Sequence, residues 1–148
     1  MNLTYILPLL VGMAGILQGG INRNMSETLG LAHALMLGNF LVLLYTALLY
    51  FGVLKSPDFF PEFFRVKTHL LTFKWWYVIP SVCGFIIVLG IPLGISQLGA
   101  VKVTVLIVAA QMLTSIVWDI FVEKLPVNTM KGAGMLLSLI SVACTLKS

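Results

Sequence analysis

Five stretches of almost uninterrupted apolar residues set the terms for this chain: 3–21, 31–54, 75–95, 101–122 and 130–146. Each approaches the roughly 20 residues that an α-helix needs to cross a hydrocarbon core about 30 Å thick. Lipid offers no water to an unpaired backbone group, so a spanning segment has to satisfy its own N–H and C=O groups as a helix. The composition agrees, since 59% of the 148 residues are hydrophobic and 9% are charged, against roughly 25% charged in a soluble domain. A soluble fold so poor in charge would expose far more contiguous apolar surface than monomers in water tolerate. The expected fold is therefore all-α, a polytopic bundle of about five transmembrane helices forming one transmembrane domain over residues 1–148. Only SQLGA separates the third stretch from the fourth, so four helices with one re-entrant piece is the alternative.

An odd number of spans puts the termini on opposite faces. Lys55, Arg65, Lys67, Lys74, Lys124 and Lys131 then share a side with the N-terminus, while Arg23, Lys102 and Lys147 take the other. Basic residues concentrate on the cytoplasmic side, which makes the N-terminus cytoplasmic. Tyr5, Tyr50, Trp75, Trp76, Tyr77 and Trp118 map to the same ends of their stretches, as an interfacial aromatic belt would. The opposite ends carry Gln18, Asn22, Asn24, His33, Ser96, Gln97 and Thr104, either the polar mouth of a cavity or residues facing external water. MNLTYILPLL lacks a basic n-region and a small-residue cleavage site, so the first stretch is expected to stay as a helix.

The connection 55–74 sets Phe59, Phe60, Phe63 and Phe64 among Lys and Arg, the pattern of a segment lying in the headgroup region. Pro57 and Pro61 argue against one continuous helix there, and His69 reads as a solvated residue. Cys83 and Cys144 sit inside apolar runs with no metal-ligand or redox spacing, so neither a disulfide framework nor a metal site is expected. No basic helix with interleaved aromatics is present, which sets nucleic acid aside. Phosphate-binding, metalloprotease and nucleophile-elbow motifs are missing as well, so the chain is not expected to be an enzyme.

Polar groups inside a membrane are costly and usually face a bundle interior or a water-filled path. Gln18 and Asn22, four apart, share one face of the first helix, and Gly15-xxx-Gly19 lies on or near that face as a small-xxx-small packing pattern. Gln18 is either hydrogen-bond glue between helices or a substrate contact. In VTVLIVAAQMLTSIVWDIF, Gln111, Ser115 and Asp119 are again spaced by four and form one stripe. Asp119 is the one carboxylate embedded in an apolar run; it carries a proton, binds a cation, or sits at the interface beside Trp118 paired with Lys124. In GIPLGISQLG, Gly90-xxx-Gly94 permits close packing and Pro92 removes a helical donor, so a kink or break is expected. Asn39 either joins Gln18 in a network or caps a local distortion. Lys102 snorkels to headgroups or attracts an anion.

The segments LQGGINRNMSETLG, GNF, LGAVKVTVLIVAAQMLTSIVWD and GAGMLLSLISV resemble the small YdcZ-type membrane proteins, a branch of the drug/metabolite transporter superfamily in which such a chain forms one five-helix half. The likeness covers essentially the whole chain, and its most specific pieces are the Gln18 and Asn22 pair and the Gln111, Ser115, Asp119 series. It implies a multi-pass protein of the bacterial inner (plasma) membrane. The implied activity is that of a half-size secondary transporter of small polar or cationic solutes, with no cofactor, enclosing a site with a second half. That half is a second copy in an antiparallel homodimer or a paralogous chain in a heterodimer. Gln18, Asn22, Asn39, Gln111 and Ser115 would contact substrate by alternating access, and Asp119 would couple transport to protons. The smallest multidrug relatives place a glutamate in the middle of the first helix, where this chain has no acid. The rival reading is a structural or accessory membrane subunit whose amides only pack helices.

Overall fold

The computed structural model describes residues 3–66, 73–126 and 128–147, which form helices and connections without a strand. Helix α1 runs Leu3–Leu29, α2 Leu31–Lys55, α3 Val78–Leu98, α4 Ala100–Phe121 and α5 Thr129–Lys147. All five are long and apolar enough to cross a membrane. The expectations for Lys67 and His69 fall on residues outside those described.

The helices extend past the apolar stretches wherever polar residues can still hold helical geometry. The apolar run ends at Ile21, yet α1 continues to Leu29 through NRNMSETL. There Arg23 pairs with Glu27 at 3.6 Å, and the Ser26 and Thr28 hydroxyls donate to the carbonyls of Arg23 and Met25 at 2.6 and 3.1 Å. A pair of this i,i+4 kind contributes a few tenths of a kcal/mol.

Of the kink or break expected at Pro92, the break does not occur, because α3 runs on as a helix through that residue. A proline removes one donor, and membrane helices tolerate that loss when neighbouring groups cover the freed carbonyl; Pro92 itself is buried. The interruption comes instead at Gly99, with φ 81 and ψ 159, and its counterpart at the end of α1 is Gly30, with φ 78 and ψ 147. Each glycine is the single residue between two helices. Gly30 donates to the Ser26 carbonyl and accepts from Ala34, both at 3.1 Å. Gly99 donates to Ile95 at 3.0 Å and accepts from Val103 at 3.3 Å.

The chain divides into two compact units, Met1–Gly20 with Gly90–Ser148 and Ile21–Leu89. In the first, Gly19 packs on Ile91 and Ile95, and Gly94 packs on Val103. Space is open beside Gly15 and Gly90. Pro92, Ile95, Val103 and Ala109 are its buried apolar side chains among the described residues, and α4 with α5 is its most extensive helix pairing. In the second unit Ala34, Leu35 and Val53 are buried. No spanning window has more than 11% of its residues buried, so lipid or another chain has to cover the rest.

In the connection after α2, two short 3-10 turns, Pro57–Phe59 and Glu62–Phe64, replace a helix. Phe60 faces Gly52 and stacks edge-on with Phe59 at 5.5 Å, while Arg65 reaches Asp58 at 3.4 Å. Phe59 and Phe63 project outward, 85% and 90% exposed.

Candidate functional site

One face of α4 gathers Val108, Gln111, Met112, Ser115, Ile116 and Asp119, residues three or four apart that must share a side of a helix. With Lys131 of α5 they line an open groove of about 320 Å³. Gln111, Ser115 and Asp119 are the polar stripe expected of this segment, here set between apolar neighbours.

α5 returns to α4 through a hydrogen-bonded turn. Val122 and Glu123 donate to the Trp118 carbonyl at 2.9 and 3.2 Å, and Leu125 donates to the Asp119 carbonyl at 2.9 Å. Lys124 occupies the left-handed region with φ 53. The Asn128 carbonyl then accepts from Lys131 at 2.9 Å and from Gly132 at 3.2 Å, opening α5. Gly134 lets this helix approach, since a Cβ there would stand 3.2 Å from Met112 Cε. The result is an ion pair in which Lys131 Nζ donates to Asp119 Oδ2 at 2.6 Å.

The partner of Asp119 is therefore Lys131 and not Lys124. A lysine in the first turn of a helix opposes the macrodipole and so calls for a nearby carboxylate, and Asp119 is the acid embedded in the adjoining helix. That signal was present in the sequence, but the neighbouring Lys124 obscured it. The two side chains are 28% and 42% exposed, and a pair this wet is worth about 1 kcal/mol at most.

Hydroxyls and amides differ in what they leave available. Ser115 donates to the Gln111 carbonyl at 2.7 Å, Thr114 to Ala110 at 2.9 Å and Thr104 to Ala100 at 2.8 Å. Their protons are engaged within α4, so Ser115 offers the groove only oxygen lone pairs. The Gln111 amide is exposed and meets no side-chain partner among the described residues. The groove thus presents a carboxylate, a hydroxyl oxygen and an amide above a floor of Val108, Met112 and Ile116. Apolar walls with a few convergent polar groups are the usual form of a small-molecule site.

The other expected site residues lie elsewhere. Gln18 is exposed on α1, in the same unit as the groove but not on its lining. Asn39 is exposed on α2, and Asn22 is 7% exposed, the one buried polar residue among those described. Asn22 Oδ1 stands 3.9 Å from where a Gly38 Cβ would be, so this amide occupies room that a larger residue at 38 would take. Cys83 and Cys144 are free and exposed, and no three His, Cys, Asp or Glu gather among the described residues.

No curated protein and no solved structure matches the chain. One protein-family model does, over residues 3–144, under the description "Putative inner membrane exporter, YdcZ". Five membrane-crossing helices and a match over nearly the whole length lead to one conclusion: the chain is a multi-pass inner-membrane protein that belongs to the YdcZ exporter family.

Proposed function

We propose that the chain is one half of a secondary transporter that exports small polar or cationic solutes. It acts as a single transmembrane domain, N-terminus in the cytoplasm, pairing with a second copy or a paralogous half and working by alternating access. The observation that carries this reading is the contrast on α4, where hydroxyl protons are engaged by their own helix while the Gln111 amide and the Asp119 carboxylate open on a groove. An unpartnered amide facing lipid costs several kcal/mol, so Gln111 is retained at a place that water, solute or a partner helix reaches. Gln18, Gln111 and Ser115 contact solute, and Asp119 is the coupling site. The chemistry is binding and release, with no bond made or broken.

The test is flux through protein reconstituted in vesicles, comparing wild type with a Gln18→Leu, Gln111→Leu double variant. Loss of flux with retained assembly supports the assignment, and unchanged flux removes it. A second reading, an accessory subunit whose polar residues pack helices, draws support from the burial of Asn22 beside Gly38. It predicts that the same variants lower thermal stability in detergent while ligand response stays the same.

A further inference from the structure

The Asp119–Lys131 pair has an unusual feature for a structural ion pair: one partner is short and fixed, the other long and free to leave. Asp119 is held on the α4 stripe within the groove, and its own carbonyl is engaged by Leu125. Lys131 sits in the first turn of α5, where the helix dipole disfavours a cation, and its four-carbon stem can carry the ammonium out to water or headgroups. Withdrawal of Lys131 leaves a lining with no positive charge. The polar groups that remain are the Asp119 carboxylate and the Ser115 oxygen, whose proton is engaged at 2.7 Å by Gln111 O, both acceptors, and the Gln111 amide, whose carbonyl accepts and whose NH2 donates. Val108, Met112 and Ile116 complete a wall suited to an aliphatic body.

We infer that Lys131 is a tethered occupant of a cation site, and that the solute admitted by this groove is a compact alkylammonium that displaces it. The inference rests on the transport reading above and gives that site its substrate class. The lysine side chain is itself a primary ammonium on an aliphatic stem, seated 2.6 Å from the carboxylate. A free molecule with the same head and body makes the same contact and extends along the apolar wall. Displacement keeps charge balanced, since one cation replaces another at Asp119. Lys131 therefore acts as a built-in competitor that keeps the carboxylate covered when solute is absent and recloses the site after release. Asp119 is a cation exchanger between lysine and solute.

The probe is n-butylammonium, the free equivalent of the lysine stem and head, with butyrate and butanol as controls. Binding is measured by calorimetry on the full chain in detergent. Lys131→Met retains the apolar stem and removes the competitor, so it binds n-butylammonium about fivefold tighter, the factor that corresponds to a pair worth ~1 kcal/mol. Asp119→Asn loses binding by more than tenfold, and the controls bind neither protein. Lys131→Arg keeps the pair and separates loss of charge from loss of fold; it binds no tighter than wild type. Affinity in Lys131→Met equal to or below wild type overturns the inference, as does butyrate binding that depends on Lys131. Flux measured in parallel separates the two readings. Solute flux without n-butylammonium binding removes this inference alone, whereas binding without any flux upholds it and removes the transporter assignment.

Discussion

Gly30 and Gly99 hold one backbone conformation, φ 78 with ψ 147 and φ 81 with ψ 159, each as the sole residue joining two helices. Only glycine enters that region without strain, and a residue with a Cβ placed there costs about 1–3 kcal/mol. Gly30→Ala and Gly99→Ala are each expected to lower the free energy of unfolding in SDS by an amount in that range. Gly12 and Gly20 are helical, with nothing within 4 Å of a built Cβ. Alanine at either is expected to leave that free energy unchanged or raise it, by up to about 1 kcal/mol. Equal effects at all four positions would remove the junction role.

Gly19 gives a packing prediction with an internal control. A Cβ on Gly19 collides with Ile91 Cγ2, a branched atom with little freedom, whereas Gly134 meets the flexible end of Met112 at 3.2 Å and Gly15 meets nothing within 4 Å. Gly19→Ala is expected to destabilise by roughly 1–3 kcal/mol, Gly134→Ala by less, and Gly15→Ala not at all. Combining Gly19→Ala with Ile91→Ala should recover part of the loss in a double-mutant cycle; strict additivity would show that the two residues do not meet.

The connection after α2 makes a prediction about lipid. Phe59 and Phe63 project outward while Phe60 holds the turn against Gly52, an arrangement suited to insertion at headgroup depth. A polarity-sensitive dye attached at Phe63→Cys is expected to emit at shorter wavelength in bilayers than the same dye at Lys124→Cys. Water-like emission at position 63 would mean that the loop stands clear of the membrane.

Under the proposed transport reading, orientation decides which second half is possible. Single cysteines at Asn24 and Ser56, introduced after Cys83 and Cys144 are replaced by serine, report the two faces to a membrane-impermeant maleimide. The basic residues lie six to three between the faces, which predicts labelling of Asn24→Cys from outside and Ser56→Cys from the cytoplasm in most molecules. That result excludes an antiparallel homodimer and leaves a paralogous half or a parallel pair. Labelling of both positions from both sides would restore the antiparallel copy.

The five helices were legible because crossing lipid demands a long apolar run, and nothing else in such a chain mimics one. Their ends were less so: hydropathy reports where a residue partitions, whereas α1 persists to Leu29 on local pairs such as Arg23 with Glu27. Pro92 pointed to a kink or break; the helix is not broken there and ends at Gly99, because a missing donor can be covered by neighbours and a positive φ cannot. The stripe of Gln111, Ser115 and Asp119 followed from spacing alone, and it lines one groove. Lys131 did not, since its approach to Asp119 depends on how the turn after Phe121 folds and on the space left by Gly134.

The hydroxyls of Thr46, Thr104, Thr114, Ser115 and Ser138 each donate to a carbonyl of their own helix. A helix whose hydroxyl waits for a neighbour must enter the bilayer together with that neighbour. These hydroxyls carry no such debt, whereas the amides of Asn39 on α2 and Gln111 on α4 find no partner within their own helices, so the need for a neighbour falls on the amides alone. Helix pairing is then specified by contacts such as Gly19 with Ile91 and Asp119 with Lys131, and by whatever those two amides meet.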